Sequence, residues 1–115
     1  MSIKRGELFW VNLNPSKGSE QAGRRPILII QNDIGNSLAP TTIVAPLTTK
    51  SFSKEYPTNV NVPKGTAGLK VDSTVLLSQI RTIDKARLEE RIGSLPSLYL
   101  EKVNHAIKVS LGLQI

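Results

Sequence analysis

Cysteine is absent from this chain of 115 residues, and histidine occurs once, as His105. Without thiols the chain has no disulfide framework, no thiolate zinc site and no cysteine nucleophile. A single imidazole also excludes a metal site built from several histidines. No run approaches the ~18 apolar residues of a membrane span, and the charged residues 1–6 lead into no apolar signal segment. We therefore expect no membrane anchor, no bound metal and no cofactor. The absence of cysteine is compatible with the reducing cytoplasm, where we expect the protein to act.

Acidic residues are the scarcer charged class. Nine Asp and Glu stand against 15 Lys and Arg, which gives a formal net charge of +6 and a pI of about 9.9. A surplus of this size favours polyanionic partners such as RNA, DNA or a very acidic protein, although charge that only maintains solubility is the alternative. The length predicts one domain, residues 1–115, that is large enough to bury a core of its own.

Short apolar segments separated by turn residues predict a small, mainly β fold. Residues 32–37 are expected to form a turn or one helical turn, and the polar, basic residues 48–56 a flexible loop. Strands are expected at residues 7–13, 25–31, 41–47, 58–62, 73–83 and 88–95.

The spacing of apolar residues changes near the C-terminus. Leu100, Val103, Ile107 and Leu111 recur at helical intervals, which predicts an α-helix from residue 96 or 97 to residue 111. The predicted architecture is a strongly bent antiparallel barrel of five to seven strands with one C-terminal helix. Barrels of this kind serve many unrelated functions, so the fold class alone does not identify the activity.

A basic loop punctuated by glycines runs directly into the most apolar strand. Residues 18–26 are Gly-Ser-Glu-Gln-Ala-Gly-Arg-Arg-Pro, and residues 27–30 are Ile-Leu-Ile-Ile. Four consecutive aliphatic residues predict a strand that is buried on both faces, so Arg25 stands at the start of a rigid element. Its guanidinium offers a planar fork of donors that matches phosphate oxygens and stays charged at physiological pH. The pattern favours binding of a phosphodiester.

Six segments in a fixed order carry a resemblance that covers nearly the whole chain. They are residues 5–7 (Arg-Gly-Glu), 18–26, 29–33 (Ile-Ile-Gln-Asn-Asp), 46–49 (Pro-Leu-Thr-Thr), 78–84 (Ser-Gln-Ile-Arg-Thr-Ile-Asp) and 110–113 (Ser-Leu-Gly-Leu). In their order and spacing these segments resemble the MazF/PemK family of toxin endoribonucleases, the toxic halves of bacterial toxin–antitoxin pairs.

The resemblance implies an SH3-like barrel of the type also found in CcdB toxins, and a homodimer. It implies metal-independent cleavage of single-stranded RNA at short sequence motifs, leaving 2′,3′-cyclic phosphate and 5′-hydroxyl ends. The implied partner is an acidic, partly disordered antitoxin similar to MazE, and operator DNA would be bound only through the complex with that antitoxin.

The resemblance also assigns catalytic positions. The family's catalytic arginine falls on Arg25, whose donors would neutralise charge on the phosphoryl oxygens and protonate the leaving oxygen. Because the pKa of arginine is above ~12, it is a poor general base, and the base stays unassigned. The second catalytic position falls on Thr48, with the adjacent Thr49 as an alternative. Glu20, the nearest carboxylate in the loop, is expected to orient Arg25, accept the 2′-hydroxyl proton or contact a base.

Further positions are expected to contact RNA. The Gln79 amide can read a base edge, and the Arg81 guanidinium can hold a phosphate or stack on a base. Residues 50–54 combine two lysines with Phe52, a mixture suited to single strands. The predicted RNA-binding residues are Ser19, Gln21, Lys50, Gln79 and Arg81.

Several positions have structural alternatives or depart from the family pattern. Arg25 could pair with Glu20, and Arg81 with Asp84, as purely structural ion pairs. Some relatives place a carboxylate immediately before the Gln-x-Arg pattern, where this chain has Ser78, so a mechanism that needs a carboxylate there does not carry over. His105 is expected on a solvated helix face.

Two other functions are compatible with such a fold. A CcdB-like protein would poison DNA gyrase through C-terminal residues that include a tryptophan, but this chain ends Leu-Gln-Ile and its one tryptophan is Trp10. Because Phe9 and Trp10 adjoin on one strand, one should face the core and the other outward. A nucleic-acid-binding barrel without chemistry would keep its binding after Arg25→Ala and Thr48→Ala and would release no product.

Overall fold

A computed structural model describes residues 2–114. Two 3-10 turns, Leu77–Gln79 and Lys85–Arg87, interrupt the β structure. In chain order the elements are β1 (Glu7–Asn12), β2 (Arg24–Ile29), α1 (Asp33–Leu38), β3 (Thr41–Thr48), β4 (Asn59–Val62), β5 (Ser73–Leu76), β6 (Arg81–Asp84), β7 (Leu88–Ser94) and α2 (Ser97–Leu111).

The strands form one antiparallel sheet in the order β4-β5-β3-β2-β1-β7, with β6 paired to the first half of β3. The expected fold class, a bent antiparallel sheet with a C-terminal helix, is confirmed. The sheet is not closed into a complete barrel, because β4 and β7 remain its two ends. Helix α2 packs against β4 and the first 3-10 turn.

The one long strand expected over residues 73–83 is wrong in detail. Strand β5 pairs with the end of β3, where Leu47 faces Val75, and β6 pairs with its start, where Val44 faces Arg81. The two ladders are out of register with each other, and the 3-10 turn Leu77–Gln79 takes up the extra residues. The turn leaves Ser78 exposed.

Two apolar clusters occupy opposite faces of the sheet because successive side chains of a strand alternate. Leu8 and Leu28 belong to the cluster beneath α2, and Phe9 and Ile27 belong to the cluster on the other face. Burying side chains of this size is worth roughly 1.5–3 kcal/mol each. Of the two adjoining aromatic residues, Phe9 is the buried one, whereas Trp10 is partly exposed and its ring lies 4.4 Å from the Arg24 guanidinium.

The short helix α1 is held by polar contacts at its N-terminus. The Asn32 side chain accepts a hydrogen bond from the Gly35 amide at 2.8 Å. The Asp33 carboxylate accepts from the Arg5 amide at 2.7 Å and from the Asn36 side chain at 3.2 Å. These bonds, with smaller contributions from the charges of Lys4 and Arg5, lower the pKa of Asp33 below its ordinary value of 3.8.

Because its pKa is lowered, we expect Asp33 to contribute to the free energy of unfolding in a way that depends on pH in the acid range. A carboxylate whose pKa is lower in the folded state stabilises the fold fully above the unfolded-state pKa and loses that effect as the pH falls through the folded-state value. Thermal unfolding of the wild type and of Asp33→Asn should differ by a constant amount above about pH 5, and the difference should shrink below pH 4. A difference that does not change between pH 7 and pH 2.5 would contradict this assignment.

Candidate functional site

Arg25 lies half-buried on β2, one residue after the strand begins. Its Nε and Nη2 donate to the carbonyl oxygen of Ala22 at 2.9 and 2.8 Å, and its Nη1 donates to the carbonyl oxygen of Leu47 at 3.0 Å. The guanidinium therefore links the loop before β2 to the C-terminal end of β3. This geometry fixes the cation in orientation while leaving it accessible from solvent.

Thr48 ends β3 on the same side of the sheet. Strands β2 and β3 pair with Ile27 opposite Pro46, and the Arg25 guanidinium bonds to the carbonyl of Leu47, the residue before Thr48. The Thr48 hydroxyl oxygen accepts a hydrogen bond from the Lys50 amide at 3.2 Å. The structure therefore brings these two predicted catalytic positions together at one end of adjacent strands, whereas Thr49 is exposed beyond the strand end.

The loop that joins β1 to β2 is closed at its base. The Leu13 amide donates to the Gly23 carbonyl at 2.9 Å, and the Gly23 amide donates to the Asn14 side chain at 3.1 Å. Further out, the Glu20 carboxylate accepts from the Lys17 amide at 2.7 Å. The ion pair considered between Glu20 and Arg25 is not formed: within residues 2–114 the ion pairs are Arg24–Glu89 and Arg91–Glu7. Glu20 and Ser19 are exposed.

Gln21 and Gln79, both predicted to contact RNA, meet beside this loop. The main-chain amide of Gln21 donates to the Gln79 side-chain oxygen across a long 3.4 Å separation. Arg81 follows on β6 and donates through Nη1 to the Leu13 carbonyl at 3.3 Å. The alternative ion pair from Arg81 to Asp84 is also not formed; the Asp84 carboxylate accepts from the Ala86 amide.

Lys50 belongs to a loop that forms one wall of an open hollow of about 1240 Å³. Its ammonium lies 5.5 Å from the Phe52 ring, and Phe52 meets Tyr56 edge to face at 5.9 Å. Strands β4 and β5 and helix α2 form the other walls. His105 is exposed, as expected, but it also lines this hollow.

The α2 side of the hollow was not predicted from the sequence. Leu98, Glu101, Lys102 and His105 line it, and helical periodicity marks only the buried side of α2, where Val103 and Ala106 lie. Tyr56 was likewise missed, since a single aromatic in a polar loop carries no periodic signal. The hollow mixes both charge signs, so it is less uniformly basic than the composition suggests.

The chemistry available at the strand ends is electrostatic. Within residues 2–114 the side chains of Arg25 and Thr48 bond to backbone groups, and no carboxylate or imidazole bonds to either of them. The same part of the chain contains no group of three His, Asp or Glu side chains placed to hold a metal ion. A fixed cation beside a hydroxyl is suited to neutralising a phosphoryl group.

None of the helices described between residues 2 and 114 has the length and apolar character needed to cross a bilayer.

Comparison with known proteins gives a consistent result over nearly the full chain. Endoribonuclease EndoA of Bacillus subtilis (strain 168) is 46% identical over 113 residues, which covers 98% of this chain and 97% of that protein. A crystal structure of MazF from Deinococcus radiodurans superposes with a TM-score of 0.84 at 29% identity, covering 98% of this chain and 99% of that one. A MazE–MazF crystal structure from the same organism gives a TM-score of 0.77 at 28% identity over 99% of each chain.

The sequence profile of one family matches residues 4–111, and its description is PemK-like, MazF-like toxin of type II toxin–antitoxin system. The matched range contains Arg25, Thr48 and the loop between β1 and β2. Together with the 46% identity to a full-length endoribonuclease, this match shows that the chain belongs to the PemK-like, MazF-like family of type II toxins.

Proposed function

We propose that this protein is an endoribonuclease toxin that cleaves single-stranded RNA at short sequence motifs without a metal ion. It would act in the cytoplasm as a homodimer, with residues 1–115 forming one domain. The observation that carries the proposal is the bond from the Arg25 guanidinium to the Leu47 carbonyl at 3.0 Å, which holds the cation beside Thr48 at the end of β3. The same conclusion is supported because the chain belongs to a toxin family and is similar to an endoribonuclease.

The proposed reaction is an internal phosphoryl transfer. The ribose 2′-oxygen attacks phosphorus and loses its proton to a base that stays unassigned, while the bond to the 5′-oxygen breaks. The products are a 2′,3′-cyclic phosphate and a 5′-hydroxyl that has gained a proton. Negative charge accumulates on the non-bridging oxygens during this step, and fixed donors aimed at that charge lower the barrier.

Arg25 is suited to supply those donors. A guanidinium has five N–H groups, and three of them bond to the carbonyls of Ala22 and Leu47. One N–H on each of Nη1 and Nη2 is left for a phosphate, which is the pair needed for a two-point contact. The leaving 5′-oxygen would receive its proton from the same guanidinium.

Thr48 would act beside this cation. Its hydroxyl oxygen accepts from the Lys50 amide, so the hydroxyl proton is available for a phosphoryl oxygen. Ser19, Glu20 and Gln21 would approach the RNA from the loop between β1 and β2, with Gln79 and Arg81 beside that loop. Lys50 would approach from the chain that follows β3. Glu20 is exposed, and one of its carboxylate oxygens accepts from the main-chain amide of Lys17.

An acidic antitoxin is the proposed protein partner. A MazE–MazF complex is known for a structural neighbour, and a net charge of +6 favours an acidic, partly disordered segment as the inhibitor. Such a segment would block cleavage by occupying the surface that RNA needs.

Cleavage of a mixed single-stranded RNA in buffer with EDTA tests the proposal. The protein should release fragments whose 5′ ends can be labelled directly by polynucleotide kinase, because they end in a hydroxyl. Sequencing those ends should show a short shared motif. RNA that is bound but stays intact would support the binding barrel instead, and fragments with 5′-phosphates would contradict the proposed chemistry.

A further inference from the structure

We infer that Arg87 is a positioning residue that sets the conformation of the RNA-contacting loop at residues 13–23. The inference rests on the proposed ribonuclease function and adds a residue outside the strand ends described above. Arg87 closes the 3-10 turn between β6 and β7 and does not line the hollow. Because the next residue, Leu88, pairs with Val11, Arg87 lies beside the end of β1 and its side chain contacts the start of this loop.

The contacts of Arg87 fall where the chain leaves the sheet. Its Nη2 donates to the carbonyl oxygen of Asn12, the last residue of β1, and to that of Asn14 at 3.0 Å. Hydrogen bonds from a charged donor are roughly twice as strong as neutral ones. Asn14 in turn accepts the Gly23 amide through its side chain. Arg87 thus holds the residue that joins the two ends of the loop.

Arg87 is itself fixed by its short turn. The Asp84 side chain accepts the Ala86 amide at 2.8 Å, and the Lys85 amide donates to the Pro40 carbonyl at 3.0 Å. The next residue, Leu88, is buried in the core cluster opposite α2 and faces Val11 of β1. A guanidinium anchored at this turn can therefore act as a rigid support for the loop.

Two ends of one loop are consequently held by arginines. Arg87 and Arg81 bond to the carbonyls of residues 12–14 at its start, and Arg25 bonds to Ala22 at its end. Between these anchors the Lys17–Glu20 contacts are internal to the loop, and the link from Gln21 to Gln79 is long at 3.4 Å. The position of Ser19, Glu20 and Gln21 relative to Arg25 depends on both ends, so loosening the start displaces the groups that would contact RNA.

Loss of the Arg87 contacts should therefore change catalysis without a direct loss of a phosphate ligand. Misplacement of a positioned group by about 1 Å can cost up to 10² in rate. We expect Arg87→Gln to lower kcat by about 10-fold and to broaden the cleavage motif, with a smaller change in KM. Arg87→Lys should fall between that variant and the wild type, because both bonds leave one nitrogen and an ammonium can make them.

Arg91→Gln is the matched control. Arg91 lies on β7, four residues further along the chain. It forms an ion pair with Glu7 at the start of β1 and donates to the Ser94 hydroxyl on β7 itself. Its loss removes a partly exposed cation from the same region without touching the loop. Hydrogen exchange measured by mass spectrometry on all three variants reports the loop directly and needs no RNA.

In Arg87→Gln we expect faster exchange that is confined to residues 13–23. The increase should be smaller in Arg87→Lys and absent in Arg91→Gln, and the loss of kcat should decrease in the same order. Exchange that rises throughout the chain would overturn the inference, since Arg87 would then be a general stability residue. Unchanged loop exchange would overturn it as well, whatever the kcat. If the wild type cleaves no RNA, the ribonuclease proposal fails, while the exchange data still decide the role of Arg87 in the loop.

Discussion

Arg25→Ala reduces RNA cleavage by about 10²–10³-fold while the protein stays folded. Loss of one preorganised stabiliser of developing negative charge typically has an effect of this size. The side chain is half-buried and its partners are the carbonyls of Ala22 and Leu47, which solvent can hydrate after the substitution. Initial rates on an RNA that carries one cleavage motif, compared at equal protein concentration, measure the effect.

Arg24→Ala provides the control for this experiment. Arg24 is the neighbour of Arg25 in sequence, but it points to the opposite face of β2, stacks on Trp10 and pairs with Glu89 at 2.8 Å. Its removal changes the net charge equally. Cleavage by Arg24→Ala should stay within about threefold of the wild type, since an exposed charge on the other face of the strand is largely screened by salt.

Arg25→Lys separates charge from geometry. A lysine keeps the positive charge but lacks the planar fork that bonds two carbonyls and a phosphate together. We expect it to recover only a small part of the lost rate. Full activity in Arg25→Lys would show that charge alone suffices, and equal losses in the Arg24 and Arg25 variants would remove Arg25 from the proposed mechanism.

The sequence predicted most of the sheet because its strands carry clear apolar patterns. Residues 27–30 indicated the buried strand that holds Arg25, and the repeat of Leu100, Val103 and Ile107 indicated α2. The break between β5 and β6 was not predictable, because Leu77 is fully buried and continues the apolar run. Only the shared pairing of both strands with β3 reveals that the chain must turn there.

The candidate site was predicted in part. The family resemblance indicated Arg25 and Thr48, and the antiparallel pairing of β2 with β3 explains why residues 23 positions apart in sequence come close to each other. The support of the loop was not predictable, since Arg87 bonds to backbone carbonyls more than 70 residues away. Contacts to main-chain oxygens leave no mark on the types of the residues that accept them.

A second large effect is expected at Gly93, where the two ends of the open sheet approach each other. Gly93 lies on β7, and the turn that follows β4 crosses it closely. A Cβ at Gly93 would lie 2.1 Å from the carbonyl oxygen of Ala67, and one at Gly68 would lie 2.6 Å from that of Ile92. This close backbone contact joins the chain after β4 to β7, although these two end strands share no hydrogen-bonded ladder.

Gly93→Ala should therefore lower the free energy of unfolding by about 3 kcal/mol or more, at the upper end of the range for overpacked sites. The atom in the way is main chain, and Ala67 already holds a left-handed φ of 55°, so the turn cannot yield freely. Urea unfolding followed by circular dichroism measures the change. Gly35→Ala on α1 is the control, because its new Cβ would meet a side chain, that of Gln31 at 3.1 Å, rather than main chain, and its loss of stability should be about 1 kcal/mol, well below that of Gly93→Ala. If both variants unfold at the wild-type urea concentration, the crossing at Gly93 does not hold the ends of the sheet together.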